Sequence, residues 1–119
     1  MSRAVCATFG GGYVSAAVRE RLPNRRPAET FDVEAGGLRY RATIGRYPDG
    51  RIGEIFITNH KAGSEAGIMA SDAAVAASLA LQYGTPIETL RHALMRDVWG
   101  RPSGPLGVVL DQIAKEGTQ

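Results

Sequence analysis

The residues best suited to chemistry in this chain are basic or small. Lys61-Ala62-Gly63-Ser64 opens a stretch of helical periodicity, with His60 directly before it. A helix start offers free backbone N–H groups and the positive end of the helix dipole. A lysine, a hydroxyl and a histidine beside them make a set that suits a phosphate. The same residues also read as a turn at Gly63 and an ordinary cap at Ser64, and such caps are common. A second basic set comprises Arg39 and Arg41, which share a strand face by period two, with Arg46 and Arg51 flanking the next turn and Arg21, Arg25 and Arg26 upstream. Together these could neutralise the phosphates of a nucleotide or a nucleic acid. They could equally form a solvated sheet face balanced by Asp32, Glu34 and Glu54. Tyr40 and Phe56 could stack on bases, although residues so placed more often belong to a core.

Other chemistry is thin. No serine or cysteine has a recognisable base partner, so no catalytic residue is assigned. His60 and His92 stand 32 positions apart with no thiolate near either, which argues against a metal site, and no cofactor is expected. Gly10-Gly11-Gly12 lacks the spaced lysine of a phosphate loop and the full dinucleotide fingerprint. The single cysteine, Cys6, can form no internal disulfide, which suits a reducing cytoplasm. No apolar run approaches the roughly 20 residues that span a bilayer, and the leading residues are too short an apolar stretch for a secretory signal. A cytoplasmic protein without membrane contact is therefore expected. A net charge of +2 names no partner, but the stretch Arg19 to Arg26 holds four arginines against one acid.

The elements that must position these residues follow from period and punctuation. Residues 1–18 show little pattern and are expected to be a flexible leading segment, with Val14 to Val18 able to begin a short helix. Arg19 to Pro27, with two prolines, reads as an extended arm. From Thr30 the period is two: Phe31 and Val33, then Leu38, Tyr40, Ala42 and Ile44, alternate with polar residues across a Gly36-Gly37 turn. Pro48-Asp49-Gly50 is a second turn, followed by a strand from Ile52 to Thr58. Past Ser64 the period becomes helical. Ile68, Met69, Ala73, Ala76, Ala77, Ala80 and Leu81 recur at steps of three and four, and the helix stops at Tyr83-Gly84. Thr85-Pro86-Ile87-Glu88 reads as a capping box for a helix reaching about Asp97 and burying Ile87, Leu90, Leu94 and Val98. Met95 and Trp99, near its end, read as packing residues or an oligomer contact. A last helix from Pro105 to Lys115 carries Leu106, Val109, Leu110 and Ile113. Strands followed by helices give an α+β fold: a three-stranded antiparallel sheet of two hairpins, with two to three helices packed on it, in one domain over residues 19–116.

Several strings also carry a resemblance. The arm Arg19-Glu20-Arg21-Leu22-Pro23-Asn24-Arg25-Arg26, then Tyr47-Pro48-Asp49-Gly50-Arg51-Ile52-Gly53-Glu54-Ile55-Phe56-Ile57, then Lys61-Ala62-Gly63-Ser64 and Ser78-Leu79-Ala80-Leu81-Gln82-Tyr83-Gly84, stand in the order and spacing of the TSCPD domain. The chain resembles a stand-alone TSCPD domain protein from about Arg19 to Gly107. That domain also occurs fused near the C-terminal end of cobalamin-dependent ribonucleotide reductases. The resemblance implies an accessory or binding module in deoxynucleotide metabolism, with a reductase subunit, a nucleotide or a nucleic acid as candidate partners. It carries over no catalytic residue. Ribonucleotide reduction needs a radical cysteine and a reducing cysteine pair, whereas this chain has Cys6 alone, outside the resembling region, and lacks the Thr-Ser-Cys-Pro-Asp string itself. Reduction by the chain alone is therefore not expected. The alternatives are a phosphate-ligand binder using Lys61, Gly63, Ser64, His60, Arg25, Arg26, Arg39 and Arg41, or a structural oligomerisation module. A homodimer is expected from the apolar helices.

Overall fold

The computed structural model describes residues 4–9, 12–61 and 63–117. Five strands precede three helices: β1 Ala4–Phe9, β2 Gly12–Ala17, β3 Ala28–Ala35, β4 Leu38–Arg46, β5 Ile52–Asn59, α1 Glu65–Gln82, α2 Ile87–Ala93 and α3 Pro105–Gly117. β1 and β2 form an antiparallel hairpin of their own, and β3-β4-β5 form the main sheet, antiparallel throughout. The expected helix from Val14 is thus a strand instead. Val14 pairs with Ala7 across β1, and the β-forming run Val5 to Phe9 supplies the partner that the pattern of residues 13–18 alone did not reveal. Gly10 and Gly11 lie outside the described residues.

The main sheet follows the alternation of its sequence. Val33, Tyr40, Ala42, Ile44, Ile55 and Ile57 are buried on one face. Gly36 and Gly37 join β3 to β4 with φ of 57° and 78°, the paired positive values that a tight two-residue hairpin demands. With Ile55 and Ile57 turned inward, Phe56 must turn outward. It is exposed on the far face rather than being core, whereas Tyr40 is core as expected.

α1 lies along β5, and α3 packs on β3 and touches both α1 and α2. β5 is an edge strand, and the helix covers that edge chemically as well as sterically. Ser78 Oγ accepts the Ile55 N–H at 2.8 Å, and Gln82 Nε2 donates to the Gly53 carbonyl at 2.9 Å. Ser78 and Gln82 are one helical turn apart, so each meets an outward-pointing backbone group of the strand. The buried stripe of α1 is Ala70, Ala74, Ala77, Ser78, Leu81 and Gln82. This corrects the expected stripe: Ile68 and Met69 are exposed. An alanine-rich helix has so little contrast around its circumference that its two large residues misled, since small side chains are what allow a helix to lie close on a sheet.

The second helix is shorter than expected. It ends at Ala93, and Leu94 is already extended. The capping box does not form: Pro86 takes the cap position without a side-chain bond, and Glu88 instead pairs with Arg91 at 2.8 Å. Beyond it the chain makes a small turn. Asp97 Oδ1 accepts the N–H groups of Trp99 and Arg101, both at 2.9 Å, and Ser103 N–H donates to the Met95 carbonyl. Val98, expected in the core, is exposed at the tip of this turn together with Met95 and Trp99, neither of which packs in this chain's interior. The core closes with Leu106, Val109 and Leu110 of α3, while Ile87, Leu90, Leu94 and Ile113 pack partly buried against it. Among the described residues no helix is long and apolar enough to cross a membrane.

Candidate functional site

The residues singled out for anion binding are divided between the two ends and two faces of the fold. Ser64 caps α1: its Oγ accepts the Gly67 N–H at 3.1 Å and donates to Asn59 Oδ1 at 3.3 Å. The same Asn59 oxygen accepts the Lys61 N–H at 3.1 Å. A side chain at position 67 would run into this cluster, 2.7 Å from Asn59 Oδ1, so Gly67 is what lets Asn59 reach the cap. Gly63 turns the chain into the helix, and the side chains of His60 and Lys61 are exposed. The Ser64 hydroxyl, Asn59 Oδ1 and the Lys61 and Gly67 N–H groups are therefore occupied by one another.

Arg39 and Arg41 lie on the outer sheet face, opposite α1, and each meets an acid on the neighbouring strand. Arg41 Nε donates to Asp32 at 3.1 Å, and Arg39 stands 3.8 Å from Glu34. Cross-strand register places both pairs directly opposite, so this face is the balanced one of the two readings. Arg25 is exposed. Arg26 is bound to Glu54 through both Nε and Nη2 and to the Pro23 carbonyl, and its guanidinium pKa is raised by the Glu54 hydrogen bond. Gly45 makes this possible, because a Cβ there would occupy the Glu54 carboxylate position.

The arm carrying Arg26 runs along the other end of α1, about 27 Å from Ser64 for an 18-residue helix at 1.5 Å per residue. Arg19 Nε donates to Gln82 Oε1 at 2.6 Å, Glu20 N–H to the Gln82 carbonyl at 2.8 Å, and Tyr47 hydroxyl to the Glu20 carbonyl. Gly53 lets Leu22 and the Tyr47 ring close in, since a Cβ there would sit within 2.9 Å of both. Beside the basic surface considered for it, the arm has a structural job, which is to seal the start of β5 and the end of α1.

Next to the arm opens a groove of about 1000 Å³. It lies between the β4–β5 turn, the α1–α2 junction and α3, and Gly84, with φ of 106°, lets the chain turn sharply at its edge. Ile52, Leu81, Ile87, Leu110 and Ile113 give it an apolar lining. Four cations, Arg46, Arg51, Arg91 and Lys115, and two carboxylates, Glu88 and Asp111, surround that lining. The charges are held in fixed pairs. Arg46 donates to Glu29 from Nε and Nη2 at 3.1 and 2.9 Å, and Arg51 reaches both Glu20 oxygens at 3.1 and 2.9 Å and Asp49 at 2.8 Å. The Arg51 guanidinium also stacks 4.5 Å from the Tyr47 ring centre. Asp111 receives Arg91 at 2.9 Å and Arg96 at 2.7 Å. The Arg96 hydrogen bond, more than any other cause, holds its carboxyl below the usual carboxylate range. The residues of this groove are scattered from position 46 to 115, and only the basic pair Arg46 and Arg51 was visible beforehand, as a flank of the Pro48-Asp49-Gly50 turn.

A second, uncharged hollow of about 310 Å³ lies near the opposite end of α1, lined by Tyr40, Ala66, Met69, Leu94, Met95 and Pro105 among others. Met69 and Met95 of this lining are exposed, as are Val98 and Trp99 in the turn that follows α2, with Arg101 stacked 4.9 Å over the Trp99 ring. Among the described residues no three His, Cys, Asp or Glu side chains are grouped so as to hold a metal ion.

Comparison with known proteins places these features in a family. The vitamin B12-dependent ribonucleotide reductase of Agrobacterium fabrum is 49% identical over 70 residues, covering 59% of this chain and 6% of the reductase. The enzyme of the same name from Bradyrhizobium diazoefficiens is 39% identical over 88 residues, 74% of this chain and 7% of that protein, and the one from Rhodopirellula baltica is 43% identical over 72 residues. The chain thus spans well under a tenth of the length of these relatives. No solved structure matches it. Residues 13–116 match the TSCPD domain, from the second strand to the end of the last helix, and the chain belongs to the TSCPD domain family.

Proposed function

We propose that this chain is a non-catalytic accessory module that acts on a vitamin B12-dependent ribonucleotide reductase by binding it. The observation that carries this reading is the likeness to reductases. A stretch of 70 to 88 residues of this chain has a counterpart inside them, where it makes up 6 to 7% of the protein. A segment of that size inside a much longer enzyme has the size of a domain packed against others, and such packing would use exposed apolar side chains such as Met69, Met95 and Trp99. The chemistry of the chain fits a helper rather than a catalyst. It has one cysteine, at position 6, where ribonucleotide reduction consumes a cysteine pair and needs a third for the radical.

The test uses the Agrobacterium fabrum reductase with its own matching segment removed. The full chain, added in trans, is expected to raise deoxynucleotide formation and to co-sediment with the shortened enzyme. Replacing Met95 and Trp99 with serine should abolish both effects without unfolding the chain, because both side chains are more than 70% exposed. No rise and no co-sedimentation would overturn the reading. So would deoxynucleotide formation by the chain alone that survives Cys6→Ser.

A further inference from the structure

We infer that the groove between the β4–β5 turn, the α1–α2 junction and α3 binds an organic phosphate: a phosphate or diphosphate head carried on an apolar or aromatic body. This goes beyond the accessory reading and does not rest on it. The groove has the size of a small-molecule site, and its apolar lining with a few placed polar groups is the usual composition of one. Its donors select the ligand. Four cationic side chains line it beside two carboxylates, and both carboxylates are already answered, Glu88 by Arg91 and Asp111 by Arg91 and Arg96. A cationic ligand would have to compete with those arginines for its acceptors, and a wholly apolar one would strip water from charged groups without replacing it.

The guanidiniums are prepared for an anion. Arg46 and Arg51 are clamped by acids that are not part of the groove lining, Glu29 for the first and Glu20 with Asp49 for the second. Their side-chain freedom is therefore already lost before a ligand arrives, which removes one cost of binding. Each clamp uses only part of the fork. Arg46 gives three of its five N–H groups to Glu29 and the Gly50 carbonyl and keeps two, and among the described residues Nη2 of Arg91 takes no partner while its Nε and Nη1 are bound. Spare N–H donors in a fixed planar fork are what phosphate oxygens bind best. The head would meet these forks, and the body would cover Ile87, Leu110 and Ile113.

Calorimetric titration of the full chain with four probes tests this. Adenosine triphosphate supplies an aromatic body, geranyl diphosphate an aliphatic one, pyrophosphate the head alone and adenosine a body alone. At least one of the first two is expected to bind about tenfold or more tightly than both fragments, and whichever does so identifies the body. Arg91→Ala and Arg46→Gln are each expected to weaken that binding by about tenfold to a hundredfold, the range for losing charge-assisted hydrogen bonds. Arg91 also braces Asp111, so Arg46→Gln keeps the test valid where Arg91→Ala loses its fold. Lys61→Ala and Arg39→Ala, at the far end and the far face, should leave affinity unchanged. The inference is overturned if no probe binds below about 1 mM, if pyrophosphate matches the whole ligand, or if both arginine variants bind as the unaltered chain does.

Discussion

The two ends of α1 differ in sequence and in what they leave open. At the Ser64 end a lysine, a glycine and a hydroxyl stand together in one string, and the Lys61 N–H and the Ser64 hydroxyl are satisfied within a few residues by Asn59 and Gly67. At the Gly84 end only Arg46 and Arg51, flanking the Pro48-Asp49-Gly50 turn, hint at a site. Yet residues from the sheet turn, the α1–α2 junction and α3 meet there around an unfilled apolar groove with guanidiniums at its rim. Local proximity of polar residues favours their mutual satisfaction, because their hydrogen bonds close over short loops at little entropic cost. A binding site is more readily assembled by distant elements, whose packing holds polar groups apart.

The largest effect should come from breaking the seal at the groove end. Gln82 is buried and joins Arg19 to the Gly53 carbonyl. Gln82→Leu leaves both without that partner and should cost about 1–3 kcal/mol, read as a denaturation midpoint shift with unchanged slope. At the other end, Ser64→Ala should cost only about 1 kcal/mol, the value of a helix cap, and leave phosphate titrations unaltered. Equal losses at both ends would erase the contrast.

Acid should sharpen it. Asp111, Asp49 and Asp97 all have carboxyl pKa values below their ordinary range, led by the Arg96 side chain, the Arg51 N–H and the Arg101 N–H respectively. A carboxylate whose pKa is lowered by folding stabilises the fold above its unfolded value of about 3.9, and that contribution is lost as pH falls through the folded value. Thermal stability should therefore drop as pH falls below about 4. Asp111→Asn should lower the melting temperature at neutral pH and shrink the difference between pH 7 and pH 3. A variant with the full acid sensitivity retained would show that Asp111 plays no part in it. The smallest effect belongs to Lys61→Ala, whose exposed side chain should change stability by less than about 0.5 kcal/mol.

Much of the fold was legible because the main sheet obeys a period of two with turn residues at both hairpins. Gly36-Gly37 and Pro48-Asp49-Gly50 fixed the register of Val33, Tyr40 and Ile57. The helices were legible in existence and less so in orientation. Alanine marks both faces of α1, so Ile68 and Met69 drew the stripe to the wrong side. The second helix ended early because Asp97 organises a turn with Trp99 and Arg101. That Asp-x-x-Gly string, Asp97 to Gly100, was a usable signal, overridden by the apolar spacing of Leu90, Leu94 and Val98. The groove was not legible. Arg91, Asp111 and Lys115 acquire meaning only from the packing of α2 and α3, which no local string encodes.

The central claim is that ligands bind at the Gly84 end of α1 and not at its Ser64 cap. Amide chemical-shift mapping of the full chain during titration with the body-bearing phosphate that binds most tightly tests it directly. The account predicts that the largest shifts fall at Gly50, Gly84, Thr85 and Arg91, with Gly63, Ser64 and Gly67 unmoved. Shifts confined to Lys61, Gly63, Ser64 and Gly67, with the groove amides silent, would contradict it.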